Sequence, residues 1–318
     1  GTQSALTDFR EYTMLQPRML AEYTGFTEEE AEALCREHGL EFEEARKWYD
    51  GYSFKEEKSV YSPNSMINAV KSGEFGDYWT ESETYESLKK YIGMNRDGLK
   101  DTIVSMLAGM RCKVNTRTFQ NDFTNLRTKD DVLTLLIHLG YLAYDAGRKE
   151  VYIPNQEVAD EFRNAVEYSG WEGISDALRE SEALLEATIR GDGETVARKL
   201  DEVHLANTSV LAYHNELSLS CVVTLAYYVA RKDYTLVREL PSGKGFADIA
   251  FVPRRYTETP AMIVELKWDK SAESAIEQIR ERRYAGALEE YLENLLLVGI
   301  SYDRDSKRHS CVIERYET

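Results

Sequence analysis

Asp248, Glu265 and Lys267 stand out because each interrupts a stretch that otherwise reads as a buried strand. The first stretch is Gly243-Lys244-Gly245-Phe246-Ala247-Asp248-Ile249-Ala250-Phe251-Val252, and the second is Ala261-Met262-Ile263-Val264-Glu265-Leu266-Lys267-Trp268. A charge in a core strand is costly unless it is paired or binds a metal. Side chains alternate faces along a strand, so Glu265 and Lys267 point one way while Val264 and Leu266 point the other. If Asp248 faces them from the neighbouring strand, two carboxylates and an ammonium converge. Carboxylate oxygens suit a hard divalent cation such as Mg²⁺ or Mn²⁺, which keeps positions open for water and a phosphate. An adjacent lysine can steady an attacking water or the charge that builds on phosphorus. The plainer alternative makes Asp248 a turn cap after the glycines, and Glu265 with Lys267 an exposed ion pair on an edge strand.

The elements that would position these residues can be read on either side. A helix that is apolar nearly all round runs from Leu217 to Val229, opened by His214-Asn215-Glu216. A strand at Tyr234–Leu240 precedes the two charged strands, which a polar loop through Pro253 and Pro260 connects. A helix is expected from about Ala272 to Leu292, then strands at Asn294–Tyr302 and Ser310–Tyr316. Gln278 and Arg282 lie one turn apart on that helix and can face the same way.

The D…ExK arrangement on two apolar strands, with helices to either side, resembles the PD-(D/E)XK nuclease superfamily. The resemblance covers residues 211–316 and implies an α/β nuclease core of order αβββαββ, a mixed central sheet flanked by helices. It implies that Asp248 and Glu265 bind Mg²⁺ or Mn²⁺ and that Lys267 serves the hydrolytic water. Asn215-Glu216 resembles the N-E motif on the first core helix, so Glu216 would be a further metal ligand. Gln278-Ile279 through Tyr284 resembles the Q-I-x-x-x-x-Y phrase of the second core helix, which gives Gln278 an auxiliary catalytic role and makes Arg282 and Arg283 phosphate contacts. Two positions depart from the pattern. Ala247 stands in place of the namesake proline, and Leu217-Ser218-Leu219-Ser220 stands where an aromatic and a histidine usually follow the glutamate.

At 318 residues the chain can form two or three domains, and its patterning suggests 1–93, 94–210 and 211–318. The net charge of −17 argues against a surface that binds nucleic acid indiscriminately, because phosphate neutralisation by Lys and Arg dominates such binding. Any nucleic-acid contact must be local. Cys35, Cys112, Cys221 and Cys311 form no C-x-x-C pair, so neither a zinc site nor a disulfide framework is indicated. No run is long and apolar enough to span a bilayer and no amino-terminal signal is visible, so a soluble cytoplasmic protein with no membrane partner is expected.

The amino-terminal part is mainly helical in pattern. Thr27 and Glu30 frame a capping box for a helix that ends near Gly39; a second helix carries Phe42, Ala45 and Trp48, and a third follows Tyr61-Ser62-Pro63. The wording from Gly25-Phe26-Thr27 through Trp48-Tyr49-Asp50-Gly51-Tyr52 to Tyr78-Trp79 resembles the carboxy-terminal portion of a predicted AAA-ATPase-like family that is often fused to such nucleases. No G-x-x-x-x-G-K-[ST] phosphate loop occurs, so this chain is not expected to hydrolyse ATP. The resemblance implies an ATPase domain upstream or in trans. An apolar helix around Leu133–Leu139 and two short strands near Tyr144 and Val151 outline a winged-helix-like hairpin, where scarce basic residues favour a spacer or protein contact. The resulting expectation is a metal-dependent nuclease acting on nucleic acid, DNA above RNA, and an oligomer is compatible with it. The competing reading is a non-catalytic nucleic-acid- or protein-binding module that retains the nuclease fold.

Overall fold

A computed structural model describes residues 13–15, 17–54, 59–79, 84–94, 97–117, 119, 126–206, 216–242, 245–254, 257–282 and 284–317. Contacts divide the chain into two compact units, Gly1–Ser169 and Gly170–Thr318.

The first unit is mainly helical. Its elements are β1 (Phe26–Thr27), α1 (Glu28–His38), α2 (Phe42–Tyr49), β2 (Val60–Tyr61), α3 (Pro63–Ser72), α4 (Thr84–Ile92), α5 (Leu99–Leu107), β3 (Cys112–Lys113), α6 (Lys129–His138), β4 (Ala143–Asp145), β5 (Glu150–Tyr152) and α7 (Gln156–Tyr168). Helix α1 starts in the capping box expected of its sequence. The Thr27 hydroxyl accepts the Glu30 N–H, the Glu30 carboxylate accepts the Thr27 N–H, and Gly39 ends the helix at φ 70°. Aromatic residues that follow build the core: Tyr49 and Tyr61 are fully buried, and the Tyr52 hydroxyl donates to the Gly140 carbonyl at 2.6 Å. Strands β4 and β5 form the expected antiparallel hairpin after α6, and β3 adds to the other side of β5. This small sheet among helices does not by itself define a winged helix.

The second unit comprises α8 (Glu172–Ile189), α9 (Gly193–Ala206), α10 (Glu216–Ala226), β6 (Tyr234–Ser242), β7 (Gly245–Pro253), β8 (Ala261–Trp268), α11 (Ala272–Arg282), β9 (Leu295–Asp303) and β10 (Arg308–Arg315). Its sheet has the order β10-β9-β8-β7-β6; β8 and β9 are parallel and the other neighbours antiparallel. The sheet is therefore mixed and flanked by helices. β8 and β9, the parallel pair, are buried along almost their whole length, which explains their mostly apolar sequences and makes Glu265 and Lys267 exceptions within β8. Helix α11 packs across both of them, with Ile276 and Ile279 set among Ala261, Ile263, Leu295 and Leu297.

Two boundaries differ from the sequence expectation. Helix α11 stops at Arg282 instead of running to Leu292, and a 3₁₀ segment, Tyr284–Asn294, takes over with a kink at Leu288 (φ −124°, ψ 41°). Gly286 weakens helical continuation there, and burial of Tyr284 and Leu288 in the α11 core turns the chain inward. Likewise α10 ends at Ala226, and its last apolar residues enter a separate 3₁₀ turn, Tyr228–Arg231. Among the described residues no helix is long and apolar enough to cross a membrane.

Candidate active site

Register brings the charged residues together. Ile249 of β7 is paired with Val264 of β8, so Asp248 lies one step further along, toward Glu265. The two strands no longer follow a plain ladder at that point. The Leu266 N–H donates to Asp248 Oδ2 at 2.7 Å, so a side-chain carboxylate satisfies a backbone donor of β8. Asp248 is thereby fixed across the strand that carries Glu265 and Lys267.

On the other side of β8, Glu265 is paired with Gly299 of β9 and Lys267 with Ser301. Gly299 lets α11 come close: a Cβ there would lie 2.3 Å from the Ala272 carbonyl oxygen and 3.1 Å from Ala275 Cβ. Only glycine fits beneath this helix. The close approach carries Gln278, two turns from the α11 start, down onto Glu265 and Lys267.

Three side chains form a closed ring. Lys267 Nζ donates to Glu265 Oε1 at 2.9 Å and to Gln278 Oε1 at 2.7 Å, and Gln278 Nε2 donates to Glu265 Oε1. Gln278 Nε2 also lies 3.3 Å from the hydroxyl of buried Tyr284. The Lys267 and Glu265 side chains are only 9% and 3% exposed, so the ring is not the solvated surface ion pair of the plainer alternative. A buried pair of this kind holds its charge only with further hydrogen bonds, and Gln278 supplies them. The Glu265 carboxylate still has one atom left over: Oε2 is buried and has no hydrogen-bond partner. Burial, with the Asp248 charge next and Lys267 opposing, pushes the Glu265 carboxyl up to about 7.

The remaining candidates are placed less closely. Glu216 begins α10, but its side chain lies outside the described residues, as does all of Arg283. Arg282 is exposed in the last turn of α11, one turn beyond Gln278. Among the described residues no group of three or more His, Cys, Asp or Glu side chains is placed to hold a metal ion. What the described residues offer is a pair of carboxylates, Asp248 and Glu265, one of them with an orphaned oxygen. Hard oxygen donors with an unsatisfied buried lone pair fit a divalent cation better than they fit an empty core. Tyr284 and Gly299 were not candidates from the sequence. Tyr284 is visible there only as the end of the Q-I-x-x-x-x-Y phrase, and Gly299 gives no signal until β9 is seen to pass under α11.

Residues 215–311 match the family model of the PD-(D/E)XK nuclease superfamily. The carboxy-terminal third of the chain holds a PD-(D/E)XK-like domain. No curated protein and no solved structure matches the chain. The match spans α10 to β10, so α8 and α9 are additions packed beside this PD-(D/E)XK-like core in the same unit. It does not reach residues 18–93, whose ATPase-like resemblance gains no support from it.

Proposed function

We propose that the carboxy-terminal unit is a metal-dependent phosphodiesterase that cuts nucleic acid, with DNA as its substrate. The observation that carries the reading is the buried Lys267–Glu265–Gln278 ring, with Glu265 Oε2 orphaned beside Asp248. A fold kept only as a scaffold gains nothing from burying three polar groups and leaving one oxygen unsatisfied.

Asp248 and Glu265, with Glu216 from the start of α10, are the residues that would hold Mg²⁺ or Mn²⁺. Such an ion supplies Lewis acidity toward the scissile phosphate and lowers the pKa of a water nucleophile. Lys267 is held in one place by Gln278 and Glu265, so its remaining ammonium hydrogen can orient the attacking water or bond a phosphoryl oxygen in the transition state. In-line attack forms one P–O bond and breaks the opposite one, so the product is a cut phosphodiester with one phosphate end and one hydroxyl end. Gln278 positions Lys267 rather than touching substrate. Arg282, with Arg283, would contact phosphates flanking the cut. An ATPase module upstream or in trans, implied by the amino-terminal motifs, would act on delivery of substrate rather than on this chemistry.

Incubating the chain and its Lys267→Ala variant with supercoiled plasmid, single-stranded DNA and RNA, in Mg²⁺ or Mn²⁺, tests the proposal. Metal-dependent cutting of DNA that the variant loses is the expected result. If the wild type binds nucleic acid but cuts none of the three with either metal, the non-catalytic module becomes the better account.

A further inference from the structure

The first unit contains a groove of about 1580 Å³ that the carboxy-terminal chemistry does not use. Its lining is largely apolar and aromatic, with Phe54, Tyr144 and Tyr152 beside Met106 and Met110. Its rim is basic. Arg111 lies over the Tyr152 ring at 3.9 Å, and Arg148 lines the same groove from the turn between β4 and β5. Lys149 follows on that turn, and Lys113 of β3 donates to the Arg148 carbonyl at 2.7 Å. The turn is pinned by the Arg148 N–H, which donates to Asp145 Oδ1 at 2.9 Å, so the two basic side chains are displayed from a fixed backbone.

The charge balance decides what such a groove suits. Arg111 is paired with Asp145 at 3.5 Å and Lys113 with Glu150 at 3.0 Å, whereas Arg148 and Lys149 are exposed and form no ion pair among the described residues. A surplus of cations is thus concentrated at one turn of a chain whose net charge is −17. An apolar peptide would fit the lining but leave these cations unused, and a duplex would use the cations but not the aromatic lining. A single nucleic-acid strand uses both, since its phosphates follow a basic rim while its bases stack on aromatic faces.

We propose that the groove between the β4–β5 turn and Phe54 binds single-stranded nucleic acid, with Arg148 and the adjacent Lys149 on the phosphates and Phe54 and Tyr144, rather than the Arg111-covered Tyr152, under the bases. The proposal rests on the nuclease reading only for its choice of ligand, and the site is separate from Asp248 and Glu265 in residues and in unit.

The test is fluorescence anisotropy of a labelled oligothymidylate of about 20 nucleotides, longer than one single-strand site, with the 318-residue chain in EDTA so that nothing is cut. The double variant R148E/K149E is expected to bind roughly tenfold more weakly or worse, with its salt slope lowered by about 1.4 for two lost phosphate contacts. The charge-conserving R148K/K149R is expected to bind as the wild type does. Affinity unchanged by the charge reversal overturns the proposal, as does tighter binding of a duplex of the same length. The two readings fail separately. Strong Arg148-dependent binding by a chain that cuts nothing defeats the nuclease reading alone, and metal-dependent cutting with R148E/K149E binding like wild type defeats the groove alone.

Discussion

The Lys267 ammonium donates a 2.7 Å hydrogen bond to the Gln278 side-chain oxygen, so a residue on α11 decides where a residue on β8 points. Gln278→Ala removes that acceptor and also one donor to Glu265. Leaving buried polar groups short of partners costs about 1–3 kcal/mol, which a denaturant titration would register. Because Lys267 loses its fixed position, kcat is expected to fall roughly 10- to 100-fold with KM nearly unchanged. A rise in KM at full kcat would show that Gln278 binds substrate instead.

Gly299→Ala tests how α11 is seated. The added Cβ would meet the Ala272 backbone oxygen at 2.3 Å, which no rotamer change can relieve. Overpacking of this kind costs about 1–3 kcal/mol. The helix must lift, and Gln278 lifts with it, so cleavage should fall beyond what the stability loss explains. A variant that is destabilised but fully active at low temperature would separate α11 seating from catalysis.

Glu265 makes metal binding pH-dependent. Its folded carboxyl is raised from 4.5 to about 7 when no cation is present, so a proton competes with the metal below that pH. Mn²⁺ affinity by calorimetry is expected to rise about tenfold per pH unit up to that point and then level off. The same shift has a sign for stability. Between 4.5 and about 7 the folded metal-free state holds a proton that the unfolded state has released, so stability falls as pH rises through this window. Glu157, hydrogen-bonded by Ser65 and the Tyr78 N–H but pushed by burial to about 7, adds the same slope. Glu265→Gln should therefore flatten the slope in part. An unchanged slope would contradict the shift assigned to Glu265.

A second buried acid behaves alike in the first unit. Glu161 is fully buried, and burial, followed by hydrogen bonding to neighbouring Asp77 and its charge, raises the carboxyl to about 9. It stays protonated at neutral pH, so stability falls as pH rises across the window from 4.5 to about 9. The wild type should lose melting temperature steadily between about pH 5 and 9, and Glu161→Gln should resist that loss. Parallel melting curves across this range for the two proteins would refute the assignment.

Much of the carboxy-terminal unit was legible because its signals are periodic. Strand alternation alone places Glu265 and Lys267 on one face, and apolar runs bounded by Gly and Pro locate β7 and β8 to within a residue or two. The capping box at Thr27 and Glu30 fixes α1 equally well. What could not be read depends on contacts between distant segments. The Leu266 N–H bond to Asp248 follows from register, and the fit of α11 over Gly299 follows from a parallel crossover. The break after Arg282 was hidden because the apolar spacing from Ile276 to Tyr291 continues a helical pattern that tertiary packing of Tyr284 and Leu288 overrides. The basic turn at Arg148 and Lys149 was diluted by an acidic composition and emerges only when β3 and β5 bring Lys113 and Arg111 beside it.

The central claim is that Asp248 and Glu265 are metal ligands of a nucleic-acid-cutting site, and the most direct measurement compares cleavage of supercoiled plasmid by the wild type, Asp248→Ala and Glu265→Gln in Mn²⁺, with circular dichroism as the check on folding. The account predicts nicking or linearisation by the wild type that EDTA abolishes, and none by either folded variant. Wild-type cutting rates in a folded Asp248→Ala protein would contradict it.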